Sequence, residues 1–370
     1  MDAMKLQREW DLLASLLPPG WQEAAREQGA LKRARNIKDP EVLLRLILLH
    51  AGAGLSLRQA SARARITGLA EISDVALFKR LRSAEPWLRW MTRRMLQMSR
   101  YSSEFVPSKV EKRLCVVDAT TVQEPGATGT SWRVHYALRL PTLVCDFFEI
   151  TDARGGETYK RLPIESGDIV LGDRGYCHRE GVAYVKDRGG DVVVRLNSTS
   201  FPLLSARDQP FQLLPMLRTL KGWQSNEWSV RFQASSGSYT ARLCAIRKSS
   251  VAAQRAKERI IREAKKKQKH PTPETLEAAK YIFVLTTLAK TEFNTTMVLE
   301  LYRVRWQVEL AFKRLKSLMQ SGHVPKYDPE SARAWIQAKL LTVLLIEGLQ
   351  EKACFFSPWG FQIPLAESLA

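Results

Sequence analysis

The sequence predicts an α/β protein: a mixed sheet with helices on its faces, preceded by an all-helical N-terminal segment and interrupted by a β-rich insertion. Three observations carry this expectation. Apolar residues recur at helical spacing over residues 1–105. From Leu114 the pattern changes to short apolar runs bounded by Gly, Pro and Asp turn signals, as strands require. A helix and another strand then follow, so the two element types alternate.

In chain order, Leu43, Leu44, Leu46, Ile47 and Leu48 form the first helical stripe, which breaks at Ala51-Gly-Ala-Gly54. Two shorter helices are expected next. Leu55-Ser-Leu-Arg-Gln-Ala60 begins one with Ser56 as N-cap, and Ile72-Ser-Asp-Val-Ala-Leu-Phe-Lys-Arg-Leu81 begins the other with Ser73 or Asp74 capping. The pair resembles a helix-turn-helix. Its second helix projects Lys79, Arg80 and Arg82, and Arg89, Arg93 and Arg94 extend the basic character beyond Pro86. These residues are either a DNA-end recognition surface or the solvated basic face of an ordinary helical bundle.

Strand-like runs follow at Leu114-Cys-Val-Val117, Trp132 to Leu140, Thr142 to Ile150 and Asp168-Ile-Val-Leu-Gly172. The loops between them are Glu124-Pro-Gly126, Ala153-Arg-Gly-Gly156 and Ser166-Gly-Asp168. A helix from His178 to Arg188 and a strand from Asp191 to Leu196 complete an order that fits a ribonuclease-H-like core over residues 106–197. Residues 198–280 read as a β-rich insertion, with Trp228 to Gln233 and Tyr239 to Arg247 around a Ser-Gly-Ser turn. Within it, Val251 to His270 carries eight Lys or Arg against Glu258 and Glu263, the pattern of a solvated helix, a mobile arm or a phosphate-tracking surface. The core resumes over residues 281–325, starting with Tyr281-Ile-Phe-Val-Leu-Thr286, and residues 326–370 form a C-terminal helical segment.

Lys plus Arg exceed Asp plus Glu by 57 to 38, a net charge of +19. Such an excess points to a polyanion, and nucleic acid is the commonest, because each phosphate neutralised releases a condensed counterion. A membrane partner is not expected. The longest apolar stretches, Val42 to Leu49 and Leu340 to Leu349, are too short to span a bilayer, and no apolar N-terminal signal segment precedes them, so a soluble intracellular protein is anticipated. The five cysteines (Cys115, Cys145, Cys177, Cys244, Cys354) are scattered and contain no C-x-x-C pair, which argues against structural disulfides and zinc.

Three carboxylates carry the chemistry. Asp118 ends the apolar run that starts at Leu114, and Asp173 ends the one that starts at Ile169. Ligands of open α/β sheets bind outside the carboxyl ends of strands, so two aspartates placed there can converge on one ion. The third, Glu309, lies in an amphipathic helix from Tyr302 to Lys316. At about 100° per residue, Tyr302, Arg305, Glu309 and Lys316 fall at roughly 0°, 300°, 340° and 320°, one narrow stripe, whereas Val304, Val308, Ala311, Phe312, Leu315 and Leu318 occupy the face that packs on the sheet. An Arg305/Glu309 pair at i,i+4 explains two members of that stripe but not Tyr302 and Lys316.

The spacing Tyr-x2-Arg-x3-Glu-x6-Lys, met by Tyr302, Arg305, Glu309 and Lys316, resembles the signature of bacterial insertion-sequence DDE transposases of the hairpin-forming cut-and-paste group. Asp118-Ala-Thr120 resembles that family's first catalytic strand, Gly172-Asp-Arg-Gly-Tyr176 its second, and residues 198–280 its β-rich insertion. The resemblance covers residues 110–320. It implies a DNA transposase in which Asp118, Asp173 and Glu309 are the catalytic residues and hold two Mg2+ or Mn2+ ions, hard cations that prefer oxygen. Two such ions, ~4 Å apart, can activate the attacking oxygen and stabilise the leaving oxygen of an in-line displacement at phosphorus. Water would nick one strand, the freed 3′-hydroxyl would attack the other to form a hairpin, and after hairpin opening the 3′-hydroxyls would attack target DNA.

By the same resemblance, Tyr302 and Arg305 contact the phosphate beside a flipped base and Lys316 contacts DNA near the cut. Tyr281 is the first choice to stack on that base, ahead of Phe283, Trp223 and Trp228. The implied partners are double-stranded DNA, both the inverted-repeat ends and the target, and a second copy of the chain in a synaptic homodimer. The implied location is the bacterial cytoplasm, at the nucleoid. After Lys316 about fifty residues remain, ending in an apolar tail, Phe355 to Ala370, whereas family members often carry a longer C-terminal dimerisation region. His135 and His178 are given no role, since a lone histidine near an element's end is usually structural. The competing expectations are a non-catalytic DNA-binding regulator or inhibitor derived from a transposase, and a nuclease of the same fold.

Overall fold

The computed structural model describes residues 3–32, 37–102, 113–140, 144–222, 224–266, 268–305, 324–326 and 328–354. The N-terminal part is helical, as the periodicity predicts. Helices α1 (Ala3–Ala14), α2 (Trp21–Glu27) and α3 (Pro40–Ile47) lead into a π-helical turn at Leu48–Gly52, then α4 (Leu57–Ile66) and α5 (Asp74–Ser102). Asp39 caps α3 by accepting from the Glu41 amide, with Pro40 at the first helical position. Ser56 and Gln59 form a reciprocal capping box on α4. The second helix of the expected helix-turn-helix is 29 residues long and runs on through Pro86. A proline there removes a backbone hydrogen bond, which the extensive packing of this helix offsets. Trp87, fully buried, stacks on Trp21 at 6.1 Å between ring centres and donates its indole N–H to the Trp21 carbonyl at 2.7 Å.

Helix α11 (Pro329–Cys354), in the C-terminal helical segment, packs into the same bundle. Asp328 caps it by accepting from the Ser331 amide. Gln337 donates to the buried Thr92 hydroxyl of α5, and Arg82 pairs with both Asp328 and Glu330. Farther along, Leu344 enters a core beneath the sheet and Glu347 accepts from the Cys145 amide, so one helix spans both layers.

The sheet has nine strands: β1 (Leu114–Val122), β2 (Trp132–Leu140), β3 (Val144–Asp152), β4 (Ile169–Gly172), β5 (Asp191–Arg195), β6 (Leu204–Ser205), β7 (Ser225–Ala234), β8 (Gly237–Arg247) and β9 (Tyr281–Thr286). Their order is β3-β2-β1-β4-β5-β9-β8-β7-β6. β1 to β3 form an antiparallel meander, β4 joins β1 in parallel and β5 joins β4 in parallel, the arrangement a ribonuclease-H-like core requires. The insertion is not a free-standing unit. Its β7–β8 hairpin bonds to β9 and extends the same sheet, because β9 would otherwise present an unpaired edge.

Successive residues of a strand face opposite sides. Val117, Val170, Val192 and Val194 point to one core, covered by α6 (Arg179–Asp187) and α7 (Leu213–Arg218). Val116, Leu171, Val193 and Val284 point to the other, covered by α10 (residues 295–305) and by parts of α5 and α11. Two further helices, α8 (Ser250–Lys266) and α9 (Pro273–Ala278), lie in the insertion. At the amino ends of β1 and β4, Arg113 is bound to Asp168 and Asp146, and Arg139 also pairs with Asp146. This largely buried ion network fixes one end of the parallel pair and leaves the carboxyl ends for the site.

Candidate active site

Asp118 does not end its strand; β1 continues alongside β2 to Val122. What ends is β4. The last paired residues are Val116 and Leu171, and two residues further on Asp118 stands opposite Asp173, where β4 gives way to a short 3-10 turn over Arg174–Tyr176. The two aspartates therefore sit where neighbouring parallel strands part, a position at which ligands bind in α/β sheets. Asp118 shares its strand face with Val116, the side covered by α10. Its Oδ1 accepts from the Ala119 amide at 2.8 Å, and Asp173 Oδ1 accepts from the Gly175 amide at 2.8 Å, capping the turn. Burial pushes the Asp118 carboxyl up to about 6; the Ala119 amide and the Arg305 charge oppose the shift, while the charges of Asp173 and Glu157 add to it.

The glycines of Gly172-Asp-Arg-Gly-Tyr176 have a steric reason. A Cβ on Gly172 would overlap the hydroxyl of Tyr159, which is fully buried, and one on Gly175 would overlap a carboxylate oxygen of Glu157. Glu157, in the loop after β3, was missed in the sequence. Burial raises its carboxyl, and Asp173 raises it further against the charges of Arg133 and His178. No local signal marks it, because the approach to Asp173 is made by chain segments distant in sequence. The glycine pair was the only clue that something presses on that turn.

On the same side as Asp118, α10 brings Arg305 within electrostatic range of Asp118 and Tyr302 within that of Asp173. The Arg305 guanidinium lies 5.7 Å from the Tyr302 ring centre. Burial raises the Tyr302 phenol; Arg305 and Arg195 oppose this and the Asp173 charge adds to it. Half of the predicted stripe is thus placed at the site, while Glu309 and Lys316 lie outside the described residues. The start of α10 is held by the insertion. Glu227 of β7 accepts from the Thr295 hydroxyl at 2.6 Å and pairs with Lys290 at 2.9 Å and Arg242 at 2.7 Å. Arg242 also donates to the carbonyls of Leu288 and Phe293, both at 2.9 Å. Against a burial penalty, the bonds from Thr295, Lys290 and Arg242 hold the Glu227 carboxyl at about 2.

The other expected contacts fare unevenly. Lys79 is exposed and Arg80 half-buried, whereas Arg82 is engaged with α11. Tyr281 is 5% exposed and packs in the core beneath α6 and α7. Phe283, on the same strand face and in the same core at 8% exposed, also lines a cavity of about 530 Å3. Arg174, Arg195, Ser198 and Ile260 also line this cavity, and Arg174 adjoins Asp173. Trp228 packs toward Phe211, and Trp223 lies outside the described residues. His135 is buried, bonded to the Thr151 hydroxyl at 3.0 Å and pushed down to about 4 by burial and by Arg161 and Arg133. His178 precedes α6.

The Transposase DDE domain family matches residues 110–345, from just before β1 into α11. The chain belongs to the DDE transposase family. Relatives agree along most of its length. InsL of insertion sequence element IS186A from Escherichia coli K12 is 35% identical over 341 residues, covering 90% of this chain and 91% of InsL. The transposase for IS421 from Escherichia coli is 34% identical with the same coverage, and that for IS231F from Bacillus thuringiensis subsp. israelensis is 22% identical over 90% of this chain and 78% of its own. A solved piggyBac transposase synaptic complex with hairpin DNA superposes over 93% of this chain and 74% of its own at TM-score 0.46 and 10% identity, a likeness too weak to inform the site. The transposase is an enzyme of DNA cleavage and strand transfer. Among its described residues no helix is long and apolar enough to cross a membrane.

Proposed function

We propose that this transposase moves its element by cut-and-paste through a DNA hairpin, using Asp118, Asp173 and Glu309. The observation that carries the reading is the meeting of Tyr302 and Arg305 with the two aspartates, since a generic two-metal nuclease needs only the carboxylates. The donor set suits a hard divalent cation. Asp118 is half-buried beside a second carboxylate, and its carboxyl is raised despite the Arg305 charge, although no three ligand side chains gather among the described residues. Asp118, Asp173 and Glu309 would hold two Mg2+ or Mn2+ ions, which when bound would activate the attacking oxygen and stabilise the leaving one.

The chain's own residues supply the positioning. Arg305 and Tyr302 bind the phosphate at the bend, with Lys316 beyond them. The cavity lined by Phe283 takes the base displaced when the hairpin forms, stacking it on the ring, an interaction worth ~1 to 3 kcal/mol. Lys79 and Arg80 of α5 read the element ends, and two copies act together as a homodimer on paired ends. The bacterial nucleoid is the place of action.

The test is incubation of linear DNA bearing the element ends with Mg2+, comparing wild type with Asp173→Ala and Glu309→Ala. Hairpin products made by wild type and absent from both variants are expected. Binding without cleavage by wild type would make the protein a regulator, and nicks without hairpins would make it a nuclease.

A further inference from the structure

We infer that the outer face of α8 is a surface for the phosphate backbone of duplex DNA flanking the cleavage site. The inference rests on the DNA-cleaving role above and extends the DNA path onto the insertion. Helix α8 has 17 residues, none fully buried, and only Ala253, Ala256, Lys257, Ile260 and Ala264 are half-buried, so its outer face is exposed. At 100° per residue, Arg255, Arg259, Arg262 and Lys266 fall within roughly 60° of one another, facing away from the half-buried Ala253, Ala256, Ile260 and Ala264. Cations at i,i+4 destabilise a helix in water, and two such pairs, Arg255/Arg259 and Arg262/Lys266, occur here. Only Arg259 of the four has an acidic partner among the described residues, Glu263 at 2.9 Å.

The stripe extends ~16 Å along the helix axis, with a cation every ~5 to 6 Å, against a phosphate every ~3.4 Å along one strand of a duplex. Its position is equally specific. The inner face of the same helix supplies Ile260 to the cavity that is also lined by Arg174, next to Asp173. A duplex entering the site would pass the outer face. A membrane surface fits less well: the exposed apolar residues Val251 and Ile261 lie roughly 80° apart around the helix and nearly three turns apart along it, and make no continuous face to insert.

The experiment measures binding of a fluorescent linear duplex to the full chain over a salt series in EDTA, so that cleavage plays no part. The variants are the fourfold Arg255→Ala/Arg259→Ala/Arg262→Ala/Lys266→Ala and the charge-conserving Arg255→Lys/Arg259→Lys/Arg262→Lys. The alanine variant is expected to have a slope of log affinity against log salt shallower by about 0.9 for each phosphate it no longer neutralises, and the lysine variant to keep the wild-type slope. An unchanged slope in the alanine variant overturns the inference while leaving the hairpin assay to decide the cleavage chemistry. Weakened binding of that variant to phosphatidylserine vesicles with duplex binding intact overturns it as well.

Discussion

Asp118 keeps its charge in a half-buried place beside a like-charged neighbour, so the fold bears a cost wherever that carboxyl is ionised. An acid raised from 3.8 to about 6 penalises the native state fully above pH 6 and not at all below 3.8. Asp118→Asn is therefore expected to abolish cleavage yet raise the Tm at neutral pH, without divalent ions, by a few degrees, a gain that fades as the pH falls toward 4. Added Mg2+ should raise the wild-type Tm and leave that of Asp118→Asn unmoved, because a ligand of the native state stabilises only a chain that binds it. Calorimetry reads both effects. Gly172 makes a different demand: Gly172→Ala forces a methyl against the buried Tyr159 and is expected to cost about 1–3 kcal/mol in urea unfolding. Asp118 and Asp173 were legible in sequence as carboxylates after apolar runs. Glu157 was not, because nothing near Gly156-Glu-Thr158 tells which turn it will lean on.

Between elements, the connection that matters runs from the insertion to α10. Glu227 and Arg242 tie the β7–β8 hairpin to the loop before α10 and to Thr295 at its start, so the helix that delivers Tyr302 and Arg305 is aimed from outside the core. Glu227→Gln is expected to lower stability by about 2 kcal/mol at neutral pH. A carboxyl depressed from 4.5 to about 2 contributes stability that is present above 4.5 and lost as the pH falls toward 2, so the gap between wild type and variant should narrow across that window in acid titrations followed by tryptophan fluorescence. Strand positions were legible because period-2 alternation is local, as β2 at Trp132–Leu140 illustrates. Pairing partners were not: nothing within Tyr239 to Arg247 announces that β8 will lie beside β9 and turn an apparent satellite into a wing of the main sheet.

For the molecule as a whole, the boundary drawn at residue 105 marks a change of pattern and not a division of the core. Val122, Trp132 and Val134 of the sheet pack with Trp87 and Met91 of α5, and Leu96 enters the core under β4. A chain starting at residue 106 is expected to be insoluble or molten, with weak dispersion of its NMR resonances, whereas a well-dispersed spectrum would show an autonomous core. The helical segment's shared packing could not be read from the sequence because an amphipathic stripe does not name the surface it will cover. Helix α11, near the end of the chain, clasps α5 through Arg82 and Gln337 and reaches under the sheet with Leu344 and Glu347. In the order of synthesis the two aspartates and the whole sheet thus precede one helix of the layer beneath it, so that layer closes after every strand has emerged.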